Sequence, residues 1–124
     1  MGIALWIVQI LLGLAFLGAG AMKVSQSAEK LIENGMGFVE DMDIVWVRVI
    51  GVLEILGGLG LVLPMRLDIL PFLTPLAAIG LMIVMVGAVA THVRRNEMSS
   101  IVPNIILGAL AGFILWQTLD LLVI

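Results

Sequence analysis

Four stretches of this chain are apolar over membrane-crossing lengths, and that limits the fold more than any other feature. A helix needs about 20 predominantly apolar residues to cross a bilayer, each rising about 1.5 Å. Residues 2–22, 44–63, 70–93 and 101–122 meet that length. Gln9 is the only strongly polar side chain of the first stretch, and Arg48 and Glu54 interrupt the second. The third stays apolar until Thr91 and His92, the fourth until Gln117 and Asp120. In hydrocarbon every backbone N–H and C=O needs a partner within the protein, which leaves helices or closed barrels. No stretch alternates polar with apolar as barrel strands do. The sequence therefore predicts an all-α integral membrane protein, a four-helix transmembrane bundle in a single domain over 1–124.

Composition agrees. The chain is 62% hydrophobic and 12% charged, whereas soluble domains average about 45–50% apolar and about 25% charged. Its natural partner is a lipid bilayer. The net charge is −3, and Arg94-Arg95 is the one basic doublet, so no nucleic-acid partner is expected. With no cysteine and one histidine, disulfides, thiol chemistry and ordinary zinc or haem sites are excluded. There is no H-E-x-x-H, P-loop or dinucleotide fingerprint. Catalysis by this chain alone is not expected, and any cofactor reduces to a bound quinone or lipid.

The first stretch reads as a retained span. Ala19-Gly20-Ala21 faintly resembles a signal-peptidase site, but no Lys or Arg precedes the apolar run. That run also exceeds the usual length of about 7–15 residues. Trp6 stands where a myristoylation signal would carry Ser or Thr.

Local signals predict the ends. Lys23 closes the first span, and Pro64 is expected to stop the second. Asp68 or Thr74 is expected to cap the third, and Ser99 or Ser100 the fourth, with Pro103 in its first turn. Short turns make the second and third spans, and the third and fourth, antiparallel neighbours. In the long loop 24–43, Ala28, Leu31, Ile32 and Met36 recur at helical spacing, and Asn34-Gly35 reads as a helix stop. A short interfacial helix is predicted there, with Phe38 and Val39 dipping into the bilayer surface. The acidic run Glu40, Asp41, Asp43 reads as a solvated helix start. Lys23, Lys30, Arg94 and Arg95 fall on one side of the membrane, and Arg66 on the other. The positive-inside rule then gives a plasma-membrane protein with both termini outside.

One position carries the chemistry. Glu54 lies halfway along the second span, where an acid costs roughly 2.5–3.5 kcal/mol on insertion scales. It should face the bundle interior or a water pocket. Gly51, Glu54 and Gly58 share a helix face, so a helix or a ligand can approach the carboxylate. The site reading is a ligand-binding or proton-carrying acid, and the plainer one is a structural contact between helices. Arg48 is six residues away and either bends towards Glu54 or snorkels to the headgroups. His92 reads first as an interfacial residue, since a lone histidine at a span end is more often that than a ligand. Lys23, Arg48 and His92 nevertheless share one depth, and with Glu54 beneath them they outline a polar vestibule. Gln9 and Gln117 share another depth and are expected to bond to each other. The pairs Gly13/Gly20, Gly80/Gly87 and Gly108/Gly112 read as packing seams within the bundle or between protomers.

The run Gly51-Val52-Leu53-Glu54-Ile55-Leu56-Gly57-Gly58-Leu59-Gly60-Leu61-Val62-Leu63-Pro64 resembles the second-helix motif of the DoxX-like family. Gly18-Ala19-Gly20-Ala21-Met22-Lys23 resembles the glycine-then-lysine end of that family's first helix, and His92 fits its late histidine. The chain departs at Leu5-Trp6, where many members carry an arginine. The resemblance implies a four-helix bundle, with Glu54, then Lys23 and His92, as the site residues. Some relatives are linked to quinone-dependent sulfur oxidation or to redox complexes, and distant ones look like membrane chaperones or cargo receptors. Three functions stay open. The first is a non-catalytic accessory or binding module for a hydrophobic ligand (quinone or lipid) or a membrane partner, centred on Glu54. The second is a small proton-coupled transporter like the small multidrug transporters, working as a homo-oligomer. The third is a quinone-linked membrane subunit of an oxidoreductase.

Overall fold

The first span forms one helix, α1, from Gly2 to Ser25, in a computed structural model that describes residues 2–123. It is followed by α2 (Ala28–Glu33), a 3₁₀ turn (Gly37–Asp41), α3 (Ile44–Arg66), α4 (Leu73–Arg94), α5 (Met98–Thr118) and a closing 3₁₀ turn (Leu119–Leu122). The described residues contain no strand. Four of the helices are long and apolar enough to cross a membrane. The chain is an integral multi-pass membrane protein. Helix α1 packs on α3, α3 on α4 and α4 on α5, while α1 touches α5 less extensively.

The α1–α3 seam is built on glycine. A Cβ at Gly13 would lie 3.0 Å from the Gly58 carbonyl oxygen, and one at Gly20 would lie 2.5 Å from that of Gly51. Both pairs are seven residues apart, two turns of each helix, so the two backbones touch at successive repeats. The space that Gly51 and Gly58 open beside Glu54 is therefore filled by α1. Gly80 and Gly87 have open space where a side chain would be, so the expected seam on α4 is not an internal contact. Gly108 and Gly112 meet Met85 and Met82 at ordinary distances. Leu12, Phe16, Leu61, Leu81, Ala111 and Ile114 fill the core between the spans.

Three helix ends use the same device. Gly35 (φ 95°), Asp68 (φ 55°) and Asn96 (φ 59°) adopt left-handed backbone just past α2, α3 and α4. The next residue then donates back to the last turn: Met36 to Leu31, Ile69 to Pro64, and Glu97 to His92. Asp68 therefore ends α3 rather than capping α4. Pro64 does not stop α3, which runs two residues further. In the final turn its missing N–H costs one bond, and its carbonyl serves the cap. Thr74 does not cap α4 either. Phe72 holds that position, and the Thr74 hydroxyl is buried without a partner, which nothing in the structure explains. Helix α5 starts at Met98, so Ser99 and Ser100 lie inside it and Pro103 falls a turn later than expected. Asn104 donates to the Ser100 carbonyl there, at 2.9 Å.

The predicted loop helix exists, capped by Ser27 through the Lys30 N–H and closed at Asn34. Val39, however, is buried within the protein, and Phe38 is half-buried against the same cluster. Leu31, Val39 and Val47 form a small core of their own, with Met36 and Phe38 against it. Burying these side chains in protein removes them from water as well as the bilayer surface would. Asp43 caps α3 by accepting from the Val45 N–H.

Candidate functional site

Lys23 is the last basic residue of α1, and its stem turns inward along α3. Gly51 clears that path: a Cβ there would lie 2.8 Å from the Lys23 Cβ. One turn further on, Lys23 Nζ donates to Glu54 Oε1 at 2.7 Å. The side chains are 11% and 4% exposed, so this is an ion pair taken out of water. A buried carboxylate needs such a partner, because desolvation of a lone charge is not otherwise offset.

Beside this pair opens a cavity of about 470 Å³, lined by residues of α1, α3, α4, α5 and the first loop. Val84, Met85 and Ala88 of α4 with Ile50 of α3 make its apolar wall, while Thr91, His92 and Asn104 add polar groups. Arg94 sits at its exposed rim, and Phe38 and Met42 of the loop cover it. Lys23, Glu54 and His92 thus share one chamber. Arg48 does not. Its guanidinium donates to the backbone carbonyls of Lys23, at 2.7 Å, and Gln26. Neither snorkelling nor bending towards Glu54 describes it, because the bare carbonyls at the end of α1 take its donors. Gly51 and Gly58 lie in the helix seam and not on the cavity wall.

A second charged cluster sits over the mouth. His92 Nδ1 lies 2.9 Å from Glu97 Oε1, and the Phe38 ring meets the imidazole edge-on at 6.2 Å between centroids. Arg95 donates to Glu97 at 3.1 Å, approaches Glu40 at 3.8 Å and pairs closely with Asp41. The acidic run before α3 is therefore partly engaged and not merely solvated. The bond to His92, then that to Arg95, holds the Glu97 carboxyl below the usual carboxylate range. Bonds to Glu97 and Asp41 raise the Arg95 guanidinium further.

At the opposite end Gln9 is fully buried but does not meet Gln117. Its amide donates to the Leu61 carbonyl at 2.6 Å and accepts from Arg66 at 2.6 Å. The Arg66 guanidinium stacks over the Trp6 ring at 3.9 Å. Helix α3 packs closely on α1 and reaches Gln9 before α5 can.

Sequence reasoning passed over Glu97, Asn104 and the Arg95 cluster. Asn96 held the signal for Glu97. Asparagine tolerates left-handed backbone, and the cap it forms returns the following residue onto His92.

Four apolar spans around a half-enclosed, largely apolar chamber that holds one ion pair define a small helical membrane protein. Within that class the chain belongs to the DoxX-like family, whose model matches residues 7–114. No curated protein and no solved structure matches it.

Proposed function

We propose that this protein is a non-catalytic binding module that takes the head of a hydrophobic ligand, a quinone or lipid, into the chamber beside Glu54. The observation that carries this reading is the Lys23–Glu54 pair set against a largely apolar cavity of about 470 Å³. Such sites join apolar walls to a few fixed polar groups, which orient the ligand. Lys23 supplies N–H donors to a head-group oxygen, Glu54 fixes the ammonium, and His92 and Asn104 face the same space. The cationic residues beside the chamber support, through the positive-inside rule, a reading with that end of the bundle in the cytoplasm and both termini outside the plasma membrane.

Native mass spectrometry of the protein released gently from its own membranes tests this, beside the double variant Lys23→Met/Glu54→Leu. A bound amphiphile is expected in the wild type and is expected to be reduced or exchanged in the variant. An empty protein in both cases defeats the reading.

A further inference from the structure

The charges around the chamber are unbalanced. Lys23 and Glu54 neutralise each other at 2.7 Å. Beyond them α4 contributes Arg94, which has no carboxylate partner among the described residues, and His92, whose Nδ1 is held by Glu97. Thr91 of α4 and Asn104 of α5 are neutral. Among the described residues no second carboxylate lines the space. Glu97 lies behind His92, bound to its Nδ1 and to Arg95, and Arg95 also engages Glu40 and Asp41. Among the described residues the only carboxylate a ligand head would meet is Glu54, and its only hydrogen-bond partner there is Lys23.

From this imbalance we infer that the ligand is an anionic amphiphile, a lipid with a phosphate or carboxylate head. It binds by taking Lys23 from Glu54 while Glu54 takes up a proton. The inference rests on the binding-module reading above and narrows it.

The exchange balances. An ammonium has three donors, and Glu54 uses one. An arriving phosphate oxygen accepts from the others. Two anions on one cation would leave a negative charge uncompensated in a poorly solvated site. A proton from water at the Arg94 rim converts the Glu54 carboxylate to the acid. The pair is neutral before binding, and Lys23 with the anionic head is neutral after it. The neutral acid then donates its hydrogen to a head-group oxygen. Arg94, at the mouth, draws the head inwards. A quinone, having no charge, requires none of this and gains nothing from Arg94.

The test is a titration of the purified full-length protein in neutral maltoside micelles. The probes are phosphatidylglycerol, phosphatidylcholine, decylubiquinone and glycerol phosphate, from mildly alkaline to mildly acidic pH. Phosphatidylglycerol keeps its charge throughout, so a pH slope reports the protein. It should bind about tenfold or more tighter than the other three, as charge-assisted hydrogen bonds do. Its Kd should fall about tenfold per pH unit wherever binding carries one proton with it. Glu54→Gln, whose amide cannot take up the proton, should lose the slope. The double variant Lys23→Met/Glu54→Leu removes both charges together, which keeps the fold, and should lose the preference for phosphatidylglycerol. Equal binding of phosphatidylcholine or glycerol phosphate overturns the inference, as does a slope that is absent in the wild type or survives in Glu54→Gln. Tighter binding of decylubiquinone overturns it too, yet leaves the binding module standing. If no probe binds, both fall.

Discussion

Gly20 and Gly51 lie so close that each occupies the space a side chain of the other would need. A Cβ on Gly20 falls 2.5 Å from the Gly51 oxygen, and one on Gly51 falls 2.8 Å from the Gly20 oxygen. The obstacle is backbone on both sides, so no rotamer change relieves it. Gly51→Ala should therefore destabilise by about 1–3 kcal/mol, as overpacking does, and Gly80→Ala, in open space, should not. Thermal denaturation of the two variants in detergent checks this; equal midpoints would show that the seam yields.

Lys23 and Glu54 should behave as a unit in folding. Lys23→Met alone strands a carboxylate and should cost about 3–5 kcal/mol, whereas Lys23→Met with Glu54→Leu should be near neutral. A double-mutant cycle on denaturation midpoints measures the difference. Additive effects would mean that water reaches Glu54.

Arg48→Met should loosen the end of α1. It removes two charge-assisted bonds to the Lys23 and Gln26 carbonyls, each worth about 1.5–3 kcal/mol before partial replacement by water. Hydrogen exchange at residues 20–26 should accelerate while α4 is unaffected. Unchanged protection would assign Arg48 to the headgroups.

The Glu97 cluster predicts an acid limit. A carboxyl whose folded pKa is depressed contributes stability above its unfolded value and loses it as pH falls through the folded one. The ordinary value is 4.5, so the advantage of wild type over Glu97→Gln should be constant near neutrality and shrink only below about pH 4.5. Midpoints of both proteins measured against pH decide it. An advantage that fades nearer neutrality instead would refute it.

Much of this arrangement is legible in the sequence, for a reason specific to membranes. Charged side chains in apolar spans are costly, so Glu54 and its neighbours in depth stand out. Depth follows from counting residues at a fixed rise. Direction does not: the sequence places Arg48 above Glu54 but cannot say that the bare end of α1 lies nearer. It puts Gly51 and Gly58 on the face of Glu54 without naming α1 as what fills that face. It also pairs Gln9 with Gln117 by depth, although the helix packed against Gln9 is the one ending in Arg66. Pro64 and Ser99 misplace helix ends because returning backbone bonds outweigh single-residue preferences there. Phe38 and Val39 read as membrane-seeking because no local pattern reveals the small core formed with Val47.

The order in which the helices pack also bears on how the protein is made. Helix α3 lies mainly on α1, α4 on α3 and α5 on α4. Each span entering the membrane during synthesis therefore finds its principal neighbour already there. The glycine seam and the Lys23–Glu54 bond can close once α3 is inserted, before α4 exists. Assembly can proceed strictly from the amino end, with no earlier contact broken to admit a later helix.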